Sequence, residues 1–214
     1  HLSFHSDARK QRLMQAGVIA PTVALLRTTP TASSETVLEK AATLVANIAR
    51  ISAGQDAIQK AGAIAPLVSL LSTTPRIAKS AADALRNLSY LQTANCAEIV
   101  EAGAIPPLVA LLHGEAANSA VAVLRNLANE AASAATIHLA GGIVPLVALL
   151  HAAEAETAWR AADALTIMAM NSEQSRPAIL AALAARPPPP PPNDDRPTLA
   201  ALLKLLQYSL RFSP

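Results

Sequence analysis

Cysteine, charge and catalytic motifs are all scarce in this sequence, and each scarcity narrows what the chain can be. A single cysteine, Cys96, stands among 214 residues. That rules out an internal disulfide framework and fits a reducing compartment, cytoplasmic or nuclear. Charged residues make up only 15% of the chain and balance to +2, from 17 basic and 15 acidic side chains. No basic block interleaves with aromatics, so the footprint of a nucleic-acid binder is missing. A signal peptide with basic, apolar and small-residue regions is absent from the start. Patterns that carry catalysis are also missing: no HExxH, no GxGxxG, no phosphate loop and no His–Cys metal spacing. Carboxylates are scattered, so no enzyme, metal or cofactor is expected. His113 and His151 each follow a Leu-Leu pair, at a place taken by Arg27 earlier in the chain. A cation at a helix C-terminus is favourable by a few tenths of a kcal/mol, which accounts for them without catalysis. Asn87-Leu88-Ser89 is a glycosylation sequon, treated as chance without a secretory signal.

Charge is missing altogether from Ala131 to Ala153, a stretch long enough to cross a bilayer. Gly141, Gly142 and Pro145 interrupt it, and it aligns with three other segments that carry charges. It is expected to be a pair of core helices, with no transmembrane span.

What the sequence does have is repetition. The phrase AGVIAPTVALL begins at Ala16, AGAIAPLVSLL at Ala61, AGAIPPLVALL at Ala102 and AGGIVPLVALL at Ala140. Its glycines are Gly17, Gly62, Gly103 and Gly141, and the interval between them shortens along the chain. A period near forty with helical content predicts a helical solenoid, and solenoids mostly bind other proteins. Hydrophobic residues are 52% of the chain, enough to build a continuous core from stacked units. Within one unit a first helix precedes the glycine, carrying Leu13, Ile58, Ile99 or Ile137 inward. The glycine marks a sharp turn at positive φ. Pro21, Pro66, Pro107 and Pro145 fall near the start of a second helix, where a missing N–H costs least. The repeated Leu-Leu pair that follows is expected to bury Leu111.

Third helices align as AATLVANIA from Ala41, AADALRNLS from Ala81, AVAVLRNLA from Ala120 and AADALTIMA from Ala161. This puts Asn47, Asn87, Asn126 and Ile167 in register. The interval from each asparagine to the next glycine is nearly constant, whereas the interval from glycine to asparagine varies. Insertions therefore fall between second and third helices, at 28–35, 72–76, 113–115 and 151–156. The units are expected at 1–50, 51–91, 92–130 and 131–171, with a degenerate fifth or cap at 172–214. The chain opens with His1 inside repeat sequence, so it is expected to be a piece of a longer polypeptide.

The combination of AGAIPPLVALL with ALRNLS or VLRNLA closely resembles the armadillo repeat, over about Asp7 to Asn171. It looks most like plant, fungal and protist armadillo proteins related to vacuolar adaptors and U-box ubiquitin ligases. The resemblance implies an all-α, right-handed superhelix with three helices per repeat and third helices lining a concave groove. It also implies that Asn47, Asn87 and Asn126 hold the backbone of an extended protein or peptide partner. An amide carries both donor and acceptor, so it suits a peptide N–H and C=O together. The other possibility is that these asparagines tie neighbouring third helices together or face water.

Positions three, four or seven residues from each asparagine, and from Ile167 in register with them, widen the candidate groove. They include Lys40, Thr43 and Arg50; Asp83 and Tyr90; Asn129; and Arg160 and Asp163, beside Ser80, Ser119, Ala122 and Met170. Their mixed signs define no ligand charge. Importin alpha pairs the asparagine with a tryptophan four residues earlier; Thr43, Asp83, Ala122 and Asp163 stand there, which argues against an import receptor. Trp159 reads equally as a groove anchor or a packing residue. An interaction scaffold is the expected function. The alternative is the substrate-recognition part of a larger enzyme such as a U-box ligase, and a third is an adaptor that binds by its outer face.

After Asn171 the repeat degrades. A helix is expected over 172–185. Pro187–Pro192 predict an extended polyproline II run, either a tolerated loop insertion or a ligand for a proline-recognising domain. A leucine-rich last helix is expected to about Leu210.

Overall fold

The structure is a computed structural model that describes residues 7–185. The polyproline run and the expected last helix lie outside the described residues. Thirteen α-helices and no strand occur among them. The chain divides into two compact units, His1–Pro107 and Leu108–Pro214.

Unit 1 contains α1 (Asp7–Gln15), α2 (Ile19–Leu26), α3 (Glu35–Ile48), α4 (Ser52–Lys60), α5 (Ile64–Leu70), α6 (Pro75–Ser89) and α7 (Thr93–Glu101). Helix α8 (Ile105–Leu111) runs across the division. Unit 2 continues with α9 (Ala117–Leu127), α10 (Ala131–Leu139), α11 (Ile143–Leu149), α12 (Ala155–Asn171) and α13 (Ser175–Ala185). Each of the four phrases thus yields a short helix, a second short helix and a longer third one.

The turn between first and second helices is the same four times. Gly17, Gly62, Gly103 and Gly141 have φ of 72°, 68°, 79° and 79°. At Gly103 the N–H donates to the Val100 carbonyl at 2.9 Å, and Ala104 N–H donates to Ile99 at 3.2 Å. That pair of bonds is a Schellman ending, which needs a left-handed residue at the glycine and satisfies two carbonyls the helix leaves open. The residue after the glycine then precedes the second helix. Proline is the third residue of α2, α5, α8 and α11, where its N–H would have no intrahelical acceptor.

Apolar stripes at helical spacing bury the core. In unit 1, Leu38, Val45, Ile58, Ile64, Leu67, Ile77, Leu85, Leu88 and Ile99 are all at most 1% exposed. Helix α3 lies along α6, and α2 and α5 each back onto their own third helix. In unit 2, α9 lies along α12, α11 backs onto α12, and α13 covers α11 and α12. There Leu124, Ile137, Leu146, Leu165 and Ile179 are fully buried. Leu13 is only half-buried, in the first helix of the chain.

Two local expectations are corrected. Leu111 is half-buried, whereas Leu112 is 2% exposed. Helix α8 ends at Leu111, and the chain turns there so that the second leucine of the pair points inward. The third helices also start earlier than expected: Pro75 and Arg76 open α6, and Ala155 and Glu156 open α12.

The uncharged stretch from Ala131 folds as α10 and α11, bent by 89° at the glycines. No single helix among the described residues is long and apolar enough to cross a membrane.

Candidate peptide-binding face

The third helices are amphipathic, and their packing decides which side remains open. Helix α3 buries Leu38, Ala41, Ala42, Val45, Ala46 and Ile48. At about 100° per residue, positions 40, 43 and 47 then fall together on the other side, and Arg50 lies in the turn just past the helix end. Lys40, Thr43 and Arg50 are exposed there and Asn47 is half-buried. On α6 the matching positions are Ser80, Asp83 and Asn87, half-buried; Tyr90, just past the helix end, is 56% exposed.

The two helices of unit 1 are laced together along this face. Thr74 donates to Glu35 at 2.7 Å, and Thr43 meets Ser80 at 3.3 Å. Arg76 lies 2.8 Å from Glu39 Oε2. That contact is electrostatic, since Oε2 meets no donor in hydrogen-bond alignment. Asp83 sits between Lys79 at 3.5 Å and Arg86 at 3.8 Å.

Asn87 is tied into the protein itself. Its Nδ2 donates to the Ala46 carbonyl at 2.7 Å, one of the last carbonyls of α3 and so without an intrahelical donor. Its own carbonyl accepts from Gln55 Nε2 at 2.6 Å. The side-chain bond uses one of two amide N–H groups and leaves the Oδ1 acceptor outside it. Asn47 differs: among the described residues its amide has no hydrogen-bond partner.

In unit 2, Asn126 is half-buried, and its Oδ1 is 3.5 Å from Arg125. Asn129 is exposed and turns back to the Asn126 carbonyl at 3.0 Å. Arg125 pairs with Asp163 from α9 to α12 and lies 5.8 Å over the Trp159 ring, a cation–π distance. Arg160 pairs with Glu156 and also bonds Asn118, whose amide donates to Glu154 at 2.6 Å. One face of Trp159 lies under a guanidinium, while 41% of the residue stays exposed. Met170, further along the same helix, is 67% exposed.

Sequence reasoning missed Arg125 and Asn171. Asn171 Nδ2 donates to the Ala128 and Asn129 carbonyls at 2.9 and 3.0 Å, an asparagine strut from one third helix to the end of another. The in-register match of Arg86 with Arg125 was the available signal for the first. The second lies where the repeat phrase has already ended. Among the described residues no three His, Cys, Asp or Glu side chains gather as a metal site.

Comparison with known proteins agrees with this build. Residues 52–90, which are α4 to α6, match the family described as Armadillo/beta-catenin-like repeat. No curated protein matches the chain. Among solved structures, a designed armadillo repeat protein is 28% identical with a TM-score of 0.76, over 97% of this chain and 87% of that one. A second designed armadillo repeat protein, in complex with the peptide (KR)4, is 27% identical with a TM-score of 0.72, over 97% and 86%. A set of computationally designed armadillo repeat proteins for modular peptide recognition includes a match at 27% identity and TM-score 0.77, over 97% and 87%. The fold is an all-α repeat solenoid with three helices per repeat. The chain is an armadillo-repeat protein.

Proposed function

We propose that this chain is a protein–protein interaction scaffold whose third-helix face binds an extended peptide or a disordered segment of a partner protein. The observation that carries this is the similarity, over 97% of the chain, to a designed armadillo protein solved with a peptide bound. The third-helix positions agree with it chemically: Asn47 offers an unengaged amide beside exposed Lys40, Thr43 and Arg50. Asn87 keeps its Oδ1 acceptor, and Tyr90 is open to solvent. In unit 2, Asn126, Asn129, Arg160 and Asp163 stand at the corresponding positions, each already in an internal contact. An amide bond to a peptide contributes about 0.5–1.5 kcal/mol, and ordering an extended peptide opposes binding. Micromolar affinity is the expectation, roughly. The scaffold supplies no chemistry of its own in this account. The single cysteine, Cys96, favours work in a reducing compartment, cytoplasmic or nuclear.

The test is capture of labelled extended peptides, followed by fluorescence polarisation, with Asn47→Ala as the variant. Its side chain supports no internal bond, so affinity should fall severalfold while the thermal midpoint stays put. Peptides that bind the variant as tightly as the wild type would remove Asn47 from the site.

A further inference from the structure

We infer that the third-helix face of unit 1 selects an acidic extended peptide. This rests on the peptide-scaffold reading and adds to it the chemical class of the partner. The whole chain is nearly neutral, but its charge is unevenly spread. Residues 7–107 hold ten basic and seven acidic side chains, a net +3; residues 108–185 hold three basic and six acidic, a net −3.

On the face itself the asymmetry is sharper, because two of its three acids are already paired with cations. The acidic residues of α3 and α6 are Glu35, Glu39 and Asp83. Glu35 accepts from Thr74, Glu39 lies against Arg76, and Asp83 is held between Lys79 and Arg86. Lys40 and Arg50 are exposed and, among the described residues, have no ion-pair partner. They stand on either side of Asn47, Lys40 within α3 and Arg50 in the turn that follows it.

Consider what each kind of peptide meets there. Carboxylates reach Lys40 and Arg50 without breaking any internal pair. Lysines or arginines find only Glu35 without a cation; otherwise they must draw Asp83 or Glu39 away from cations that already hold them, and must pass two uncompensated like charges. Like-charge contact excludes wrong partners and opposite charge speeds encounter. Lys40 lies about 10 Å from Asn47 along α3, and Arg50 follows in the turn just past the helix end. An acidic extended segment with its backbone at Asn47 satisfies both cations at once.

The experiment uses the full chain and three labelled octapeptides: (DE)4, a neutral Ser/Gly/Thr peptide and (KR)4. The wild type should bind (DE)4 in preference to the other two, with affinity falling as ionic strength rises. The double variant Lys40→Glu, Arg50→Glu should lose about tenfold or more in (DE)4 affinity and gain for (KR)4. Both side chains are exposed, so circular dichroism and the thermal midpoint should match the wild type. The inference is overturned if the neutral peptide or (KR)4 binds the wild type as well as (DE)4 does, or if charge reversal leaves (DE)4 binding unchanged. Should one of those other peptides bind and Asn47→Ala weaken it, the scaffold reading stands and only the charge preference falls. If none of the three binds, both fall.

Discussion

Replacing Gly54 by alanine tests the contact between consecutive repeats. Gly54 is the third residue of α4, where that helix starts against the end of α3. A Cβ there would fall on the Ile48 carbonyl oxygen, 2.8 Å from its carbonyl carbon and 3.0 Å from Ile48 Cγ2. A backbone oxygen cannot rotate aside, and Ile48 is 1% exposed. Helix α4 must therefore shift as a body. That shift disturbs Ile58, fully buried, and Gln55, whose amide bonds the Asn87 carbonyl at 2.6 Å. Forcing an extra carbon into such a site costs about 1–3 kcal/mol. Alanine's better helix propensity returns at most about 1 kcal/mol, and less in a first turn. A net loss of about 1–2 kcal/mol is expected, a fall of about 2–8 °C in thermal midpoint for a chain of this size. Repeat proteins need not unfold in one step, so hydrogen exchange in α4 should accompany the melt and show early opening there. The control is Gly114→Ala, where the nearest atom, the Leu111 carbonyl oxygen, is 4.0 Å from the added carbon; no loss is expected. A Gly54→Ala midpoint equal to or above that of the wild type would refute the packing argument.

Gly103→Ala destabilises for a different reason, since nothing lies within 4 Å of its Cβ and only the φ of 79° opposes it; about 1–2 kcal/mol is expected by chemical denaturation. Leu112→Ala should cost about 2–5 kcal/mol in the same assay, and Leu111→Ala clearly less; the reverse order would invalidate the inward assignment of the second leucine. Asn87→Ala removes the bond to Ala46 and should lower stability by about 0.5–1.5 kcal/mol, whereas Asn47→Ala should leave the melt unchanged. Equal effects of the two would show that the strut from Asn87 to Ala46 contributes nothing.

The candidate face was partly legible before the structure. Helical spacing alone brings Lys40, Thr43 and Asn47 to one side of α3, because the apolar residues of ANIA and its neighbours must face the core. Whether an amide there is spare or occupied was not legible. Asn47 and Asn87 occupy the same place in the same phrase, and the bond of Asn87 to the Ala46 carbonyl exists only because α6 lies along the end of α3. The same applies to Arg125, which meets Asp163 and Trp159 only because α12 lies beside α9. These partners belong to the following repeat, and no local pattern links them to Arg125.

The all-α repeat plan, its four turns and its buried stripes are written in the order of residues. Each follows from short-range chemistry: glycine where φ must be positive, proline where an N–H is idle, and apolar residues at the helical period. Packing of helix on helix chose which of two adjacent leucines turns inward, which asparagine is a strut and which acids on the open face are already paired. Those outcomes depend on where one helix ends against another, and such distances are set between repeats rather than by the residues within one.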